Sequence, residues 1–287
     1  MQQNANCVLV VIPTYAPARN LTELLASLSE PVIVSDDASP CTADPQLREA
    51  SQFPHVDVLR NSRNRGIARG LNQGLRAAQE QGFDWLLTLD QDSQITQSYV
   101  STIVSAALAH EKLWSDRPVV GVIAPSQVND LSGPINYPKS EVGGVTVTQE
   151  VIQSGALWRV SALTQIGGFD ERLGIDAVDA AACLHLREAG YLVALTDSVE
   201  IDHNLGDSRQ VSILGRKVMI TNHSPARRAT MVRNRLRLAP AEFKQSPIHA
   251  FRTLRRVGVN SLLGGITGED RWQKTKGSLS GLRRNKE

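Results

Sequence analysis

Two aspartates separated by one residue are the side chains in this sequence whose types and spacing most clearly suggest a chemical role. Asp90 and Asp92 flank Gln91, directly after an apolar run that begins at Phe83. Carboxylate oxygens suit Mg²⁺ or Mn²⁺, and such ions commonly complete their coordination with substrate phosphates. The same residues also fit an acidic turn in which Asp92 or Ser93 caps the next helix. Spacing alone therefore leaves a metal site and a capped turn open.

Two further polar groups follow strand-like apolar runs nearer the N-terminus. Pro13, Thr14 and Tyr15 end the first run, and Asp36 and Asp37 end the second. Ligands of open α/β sheets bind beyond the carboxyl ends of the strands, so these groups together predict a ligand site. Each also has a local explanation, since an exposed aromatic ring or a turn-forming aspartate needs no ligand.

The elements that must position these groups alternate between strands and helices. Short apolar runs predict strands, and apolar residues spaced three to four apart predict helices between them. Near-continuous apolar strands are typical of a parallel sheet covered by helices on both faces, which indicates an α/β fold. The predicted strands are 8–12, 31–35, 55–60, 83–90, 119–124, 191–195 and 198–202, and the main predicted helices are 66–80, 95–112 and 176–189.

The order of motifs along the chain resembles that of family 2 glycosyltransferases, and within them the rhamnosyltransferase group. The matching stretches are VVIPTYAPARNLTELLASL, VIVSDDAS, RNRGIARGLNQGL, LLTLDQDS, IQSGALWRVSALTQIGGFDERLGIDAVDAAACLHLREAGY, IDHNLGD and MVRNRL. They occur in the family's order from about residue 7 to 238. The resemblance implies a GT-A fold, which has a Rossmann-like, mainly parallel central sheet flanked by helices.

The resemblance further implies a nucleotide-sugar donor and a divalent Mg²⁺ or Mn²⁺ ion. Asp92 and His203 would contact the metal, and Asp90 would support the metal or the ribose. The implied nucleotide-binding residues are Pro13, Thr14, Tyr15, Asp36, Asn64, Arg65, Asp90 and Gln91. LDQDS is typical of rhamnosyltransferase-like members, so the predicted donor is dTDP-rhamnose, with a UDP-sugar as the alternative.

The resemblance assigns catalysis to the second half of the matching region. Asp179 would be the general base that deprotonates the acceptor hydroxyl in a single displacement with inversion. Asp176 would share its helical face or contact the acceptor, and Ser154 and Gly155 would line the acceptor cleft. The helix dipole alone also favours carboxylates at a helix start. Ala181 stands where the family commonly has an acidic residue, which leaves a non-catalytic nucleotide- or glycan-binding module as an alternative.

Charge is divided unevenly along the chain. Residues 209–287 hold 18 of the 31 Lys and Arg but only 4 of the 29 Asp and Glu. We therefore predict a catalytic domain over 1–208 and a basic, mostly helical C-terminal extension over 209–287. Arginines among apolar residues from 248 to 257 are typical of a helix on an anionic membrane surface, although packing on the body is the alternative. Nucleic acid is not expected, because no zinc or RNA-binding motif accompanies the charge.

The remaining composition indicates a cytoplasmic protein. The N-terminus has no basic segment before its short apolar run, and Cys7, Cys41 and Cys183 form no CxxC pair, which favours a reducing compartment. Together with the resemblance, these features predict an enzyme on the cytoplasmic face of the inner membrane. Its acceptor would be a cell-surface polysaccharide or a lipid-linked glycan.

Overall fold

The computed structural model describes residues 8–113, 119–130, 133–135, 137–202, 208–213, 216–221, 224–266 and 271–281. The chain forms two compact units. The first, which we call the sheet unit, contains Met1–Asp130, Pro134–Gly174 and Val178–Asn204. The second, which we call the helical unit, contains Leu131–Gly133, Ile175–Ala177 and Leu205–Glu287.

The sheet unit is organised by a large β-sheet. Its strands bond in the order β3-β2-β1-β4-β9-β5-β10-β8-β7, and β1 to β4 are all parallel to one another. The strands are β1 (Val8–Thr14), β2 (Val32–Asp36), β3 (Val56–Arg60), β4 (Trp85–Thr88), β5 (Val120–Asp130), β6 (Gly133–Ile135), β7 (Ser140–Val142), β8 (Val145–Val147), β9 (Ala156–Arg159) and β10 (Leu192–Asp202).

Helices cover this sheet, which explains why its central strands are apolar throughout. Val10, Val11 and Ile12 are all fully buried although successive side chains of a strand point to opposite faces. The helices of the sheet unit are α1 (Asn20–Ala26), α2 (Asp44–Ala50), α3 (Ile67–Gln81), α4 (Tyr99–Leu113), α5 (Val160–Gln165) and α6 (Val178–Glu188). The predicted α/β fold is confirmed.

Two features of the sheet differ from the sequence prediction. β9 was not predicted as a strand, and it lies antiparallel between β4 and β5. Its four residues are too few to produce a recognisable periodicity. The two short strands predicted at 191–195 and 198–202 form one strand, β10, whose register with β5 is irregular between Thr196 and Glu200. That irregularity explains why the apolar pattern is interrupted there.

The helical unit contains a β-hairpin and three helices among its described residues. β11 (Ser208–Ile213) and β12 (Arg216–Thr221) are antiparallel, and α7 (Pro225–Gln245), α8 (Pro247–Ile266) and α9 (Arg271–Ser280) follow. The hairpin was not predicted from the sequence, which indicated a mostly helical extension over 209–287. None of the described helices combines the length and apolar character needed to cross a bilayer.

Gly74 lies where α3 packs closely on β1, so a substitution there tests how tightly the helix is packed. A Cβ at this position would lie 2.4 Å from the Cβ of Val11, a buried strand atom that cannot move aside cheaply. Overpacking of this kind costs about 1–3 kcal/mol. We expect Gly74→Ala to lower the free energy of unfolding by about 1 kcal/mol or more in chemical denaturation, despite the better helix propensity of alanine.

Gly258→Ala in α8 is the matched control. A Cβ there would meet no atom within 4 Å, so helix propensity alone should raise stability, by up to about 1 kcal/mol. Effects of the same sign at the two glycines would contradict the packing explanation for Gly74.

Candidate functional site

The loops that follow β1 and β4 are tied together by one side chain. β1 and β4 are parallel neighbours at the point where the strand order reverses, which is where α/β sheets bind ligands. The Tyr15 N–H donates to Gln91 Oε1 at 2.9 Å, and Gln91 Nε2 donates to the Tyr15 carbonyl oxygen at 3.3 Å. This two-way link fixes the backbone of Tyr15 while its side chain stays exposed, with the residue 53% accessible.

Asp90, Gln91 and Asp92 form a segment that we call the DxD segment. Its start is held by Ser93 and by residues just before β9. The Asp90 N–H lies 2.9 Å from Ser93 Oγ and 3.3 Å from Ser154 Oγ, and the two hydroxyl oxygens are 2.7 Å apart. Gln153 Nε2 donates to Asp90 Oδ1. Ser154 is almost fully buried, and its hydroxyl group contacts this loop. The predicted role of Ser154 in an acceptor cleft stays a prediction. Gln153 was not predicted, because its partner lies 63 residues away.

The segment before β9 is itself fixed to β4. The Thr88 hydroxyl donates to the carbonyl oxygen of Gln153 and accepts from Trp158 Nε1 at 2.9 Å, and the Gly155 N–H donates to the Thr88 carbonyl oxygen at 2.8 Å. Gly155 has φ +79°, and a Cβ there would lie 2.6 Å from the hydroxyl oxygen of Tyr99. Only glycine therefore fits at this turn, which gives Gly155 a structural requirement beside its predicted place in the acceptor cleft.

Asp36 ends β2 with a fully buried carboxylate. One oxygen accepts from the Ser39 hydroxyl, and the other accepts from the Ser39 N–H at 3.2 Å and lies 3.3 Å from Arg60 Nε. Ser39 Oγ in turn accepts from the Ala16 N–H at 2.7 Å, in the loop after β1. Asp36 thus links the loops after β1 and β2 at this edge of the sheet. Its partner Arg60 is half-exposed, so the guanidinium group reaches solvent. A contact from Asp36 to a nucleotide base stays a prediction.

Asp37, which the sequence placed at the ligand-binding edge without a role of its own, shapes the segment before α3. Its two carboxylate oxygens accept from the backbone N–H groups of Arg65 at 2.8 Å and Gly66 at 2.7 Å. Gly66 has φ +86°, and a Cβ there would lie 2.4 Å from the carbonyl oxygen of Gly174. These constraints hold Asn64 and Arg65 next to the end of β2, and both residues are exposed.

The loop that leads to Gly174 is anchored on the same helix, α3. Asn72 Nδ2 donates to the Phe169 carbonyl oxygen at 2.8 Å and to Glu171 Oε1 at 3.0 Å, and the Phe169 N–H donates to Asn72 Oδ1 at 2.9 Å. A Cβ on Gly168 would lie 2.6 Å from the same Asn72 oxygen. A buried asparagine in the interior of a helix was the sequence signal that could have identified this anchor.

Asp179 lies in the first turn of α6, where the helix dipole favours a carboxylate. Its Oδ1 accepts from the Ala180 N–H at 2.8 Å. Burial raises the pKa of the Cys183 thiol to about 12 and also raises the pKa of the Tyr137 phenol, and the charge of Asp179 adds to both shifts. Both groups therefore stay protonated at neutral pH, and the role of Asp179 as general base stays a prediction.

Asp176 does not share a helical face with Asp179, so that expectation is wrong. α6 begins at Val178, and Asp176 and Ala177 have φ of +65° and +63°. Side-chain-bearing residues rarely adopt this left-handed conformation, which cannot continue into a right-handed helix.

The backbone at Asp176 is held within the helical unit by two residues of α7. Arg227 donates to both carboxylate oxygens of Asp176 at 3.1 and 3.3 Å. The buried Asn234 donates through Nδ2 to the carbonyl oxygens of Ile175 and Asp176, both at 2.9 Å. The arginine neutralises Asp176, and the asparagine supports the strained backbone.

Asp92 is half-buried and has no hydrogen-bond or ion-pair partner among the residues that the structure describes. The other predicted metal ligand, His203, lies outside the described residues. Its neighbour Asp202 is close to the DxD loop, since the Gln94 N–H faces the Asp202 carbonyl oxygen at 3.5 Å. Asn129 Nδ2 donates to the Asp202 carboxylate at 3.1 Å. The end of β10 thus adjoins the loop that carries Asp92.

The sequence is similar to a protein-family model and to several known proteins. A model of glycosyl transferase family 2 matches residues 9–157. The dTDP-rhamnosyl transferase RfbF of Shigella flexneri is 29% identical over an alignment of 246 residues that covers 80% of this chain and 79% of that protein. The N-acetylglucosaminyl-diphospho-decaprenol L-rhamnosyltransferase of Mycobacterium tuberculosis is 25% identical over an alignment of 238 residues that covers 69% of this chain and 76% of that protein.

Solved structures confirm the predicted GT-A fold. S. aureus TarS 1-349 in complex with UDP-GlcNAc has a TM-score of 0.62 and 15% identity, covering 96% of this chain and 79% of that one. The mannosyltransferase PcManGT from Pyrobaculum calidifontis, in complex with GDP-Man and Mn²⁺, has a TM-score of 0.57 and 17% identity, covering 96% and 74%. Identities this low show a common fold alone.

The buried pairing of Asp36 makes a prediction about stability. Asp36→Asn keeps the shape of the side chain but removes the charge that faces Arg60, and hydrogen bonds to charged groups contribute about 1.5–3 kcal/mol. We expect the urea midpoint to fall by an amount equivalent to about 2 kcal/mol with an unchanged slope. Asp57→Asn, at an exposed position on the neighbouring strand, is the control, and an equal loss there would contradict the role given to Asp36.

Proposed function

Because this chain belongs to glycosyl transferase family 2, we propose that it binds a nucleotide-sugar donor at the carboxyl edge of β1, β2 and β4. It is a glycosyltransferase, and the sugar would pass to a hydroxyl group of a glycan acceptor. The observation that most directly supports this binding site is the pair of hydrogen bonds between Tyr15 and Gln91. It joins the loops of two neighbouring strands at the switch point and leaves an aromatic ring and an acidic segment at one edge.

The nucleoside would lie between the loops after β1 and β2 and the segment before α3. The exposed ring of Tyr15 can stack on a pyrimidine base, and Pro13 and Thr14 form the strand end beneath it. The exposed residues Asn64 and Arg65 are held nearby through Asp37. Asp36 would act on the base edge together with its partner Arg60, which is half-exposed.

A divalent Mg²⁺ or Mn²⁺ ion fits the oxygen ligands of the DxD loop. Asp90 is oriented by Gln153, whereas Asp92 has no partner among the described residues, and two carboxylates this close favour a cation between them. Asp92 and Asp90, with His203, would hold it. When bound, the ion would neutralise the diphosphate of the leaving group.

Acceptor activation is assigned to Asp179. Its carboxylate would take the proton of the acceptor hydroxyl while that oxygen attacks the anomeric carbon of the donor. The bond between the anomeric carbon and the diphosphate oxygen breaks, and the configuration inverts. Asp176, neutralised by Arg227, would contact or orient the acceptor instead of taking a proton.

The donor is proposed to be dTDP-rhamnose and the acceptor a cell-surface polysaccharide or lipid-linked glycan. The names of the Shigella and Mycobacterium relatives support rhamnose as the transferred sugar, and the name of the Mycobacterium relative supports a lipid-linked acceptor. With such an acceptor, the proposed location of the enzyme is the cytoplasm, at the membrane surface.

The roles of Asp179 and Asp92 can be separated by kinetics and binding. General base catalysis contributes about 10²–10⁴-fold, so Asp179→Asn should lower kcat by that factor and leave donor binding intact. Asp92→Asn should weaken Mn²⁺-dependent binding of the nucleotide and abolish most transfer. Asp84→Asn, at an exposed position before β4, should behave as wild type. Full transfer activity in both Asp179→Asn and Asp92→Asn would overturn this mechanism.

The donor can be identified by thermal shift with dTDP-, UDP- and GDP-sugars in the presence of Mn²⁺. A ligand at 100 times its Kd stabilises the native state by about 2.7 kcal/mol, which is a shift of several degrees. We expect dTDP-rhamnose to give the largest increase in Tm. Stabilisation by UDP-sugars without any by dTDP-rhamnose would refute the rhamnosyl donor. Stabilisation by glycans alone would favour a non-catalytic binding module.

A further inference from the structure

One face of α8 is packed inside the helical unit. Ala250 is fully buried, Thr253 is nearly so, and Leu254 and Val257 are half-buried. These positions are spaced three or four residues apart, so they form a single stripe along the helix. α8 contacts α7, α9 and β12, which occupy this inward side.

The opposite face of α8 exposes large apolar side chains. Ile248 is 68% exposed, Phe251 63% and Val259 43%. The sequence grouped Ile248 and Phe251 with Leu254 and Val257 in one rough apolar stripe. The structure separates them, since the first two point outward and the last two face the packed side. The outward stripe is therefore an apolar surface that no described residue of the helical unit covers.

Arginines lie on the same outward face. Arg252, Arg255 and Arg256 are exposed, and none has an ion-pair partner among the residues that the structure describes. The residues of α8 include no Asp or Glu, and Lys244 adds a positive charge at the end of α7. The face therefore combines apolar anchors with uncompensated positive charge.

These side chains surround a groove where α7 turns into α8. The groove has a volume of about 580 Å³, and its lining is Phe243, Pro247, Ile248, Phe251, Arg252 and Arg255. Aromatic and aliphatic groups suit the acyl boundary of a bilayer, and guanidinium groups suit the phosphates of lipid headgroups. Arginine can satisfy both layers at once, because its aliphatic stem stays in the apolar layer while its charge reaches the phosphates.

We propose that the outward face of α8, together with the end of α7, docks on the surface of an anionic lipid bilayer. A second copy of this chain is a poorer occupant, because a symmetric contact would bring the three arginines of each face together. Nucleic acid is poorer too, because phosphate contacts alone leave Ile248, Phe251 and Val259 in water. The docking is interfacial and stands independently of the donor or acceptor identity.

Co-sedimentation of the full chain with vesicles tests the proposal directly. Wild type should pellet with phosphatidylcholine vesicles that contain phosphatidylglycerol, and stay in solution with phosphatidylcholine alone. Arg252→Gln with Arg255→Gln should weaken binding about thirtyfold at low salt, given the attraction of each surface charge. Ile248→Ser with Phe251→Ser should weaken it by about tenfold or more, since two apolar anchors are lost.

Two matched variants control for charge and apolarity in general. Arg48→Gln with Arg76→Gln removes two exposed arginines from the helices α2 and α3, and Leu59→Ser removes an exposed apolar side chain from β3. Both should bind vesicles as wild type does, and thermal melting should show that all variants are folded. Equal vesicle binding by the α8 variants and wild type would overturn the proposal.

The competing occupants give distinct results in the same samples. If wild type is a dimer in light scattering, binds no vesicles, and becomes a monomer on Ile248→Ser with Phe251→Ser, the face is a contact between copies. If a duplex oligonucleotide binds through Arg252 and Arg255 while anionic vesicles do not bind, the partner is nucleic acid. Either result refutes docking on a bilayer.

Discussion

The cost of burying a carboxylate governs the shape of the candidate donor site. Asp36 and Asp37 are adjacent at the end of β2, and both are buried, where an unpaired charge would be strongly unfavourable. Asp36 is satisfied by Ser39 and Arg60. Asp37 is satisfied by the backbone of Arg65 and Gly66. Satisfying these two charges positions the loop after β2 and the segment before α3, and through Ser39 also the loop after β1.

The two carboxylates of the DxD segment differ in whether the protein pairs them. Asp90 is bound by Gln153 and supported by the hydroxyl groups of Ser93 and Ser154, so its orientation is fixed by the protein. Asp92 lacks a partner among the described residues, although it is half-buried. A site in which one carboxylate is held and the next is left to a ligand would be preorganised for the proposed cation, because Asp92 would not have to break a contact with any described residue when the cation binds.

The sequence predicted the strands well because each is a continuous apolar run buried on both faces, as with residues 8–12 and 31–35. It also predicted the edge of the sheet where the polar residues gather, because each polar group directly follows one of these apolar runs. It failed where information is not local. The contacts of Ser154 and Gln153 with Asp90 span more than 60 residues, and the left-handed φ of Asp176 depends on contacts from α7. No periodicity in the sequence reports such contacts.

Gln91 belongs to the LDQDS stretch, which predicts a rhamnosyl donor by resemblance. In the structure its amide is engaged by the backbone of Tyr15 through both its oxygen and its nitrogen. A side chain used in this way has little capacity left for a sugar, since an amide nitrogen has one further N–H to donate and the oxygen one further lone pair. Any influence of Gln91 on donor choice therefore acts mainly through the placement of Tyr15, which would face the base. In the proposed site, a glutamine at this position would select for the geometry of the nucleotide first and for the sugar only as a consequence.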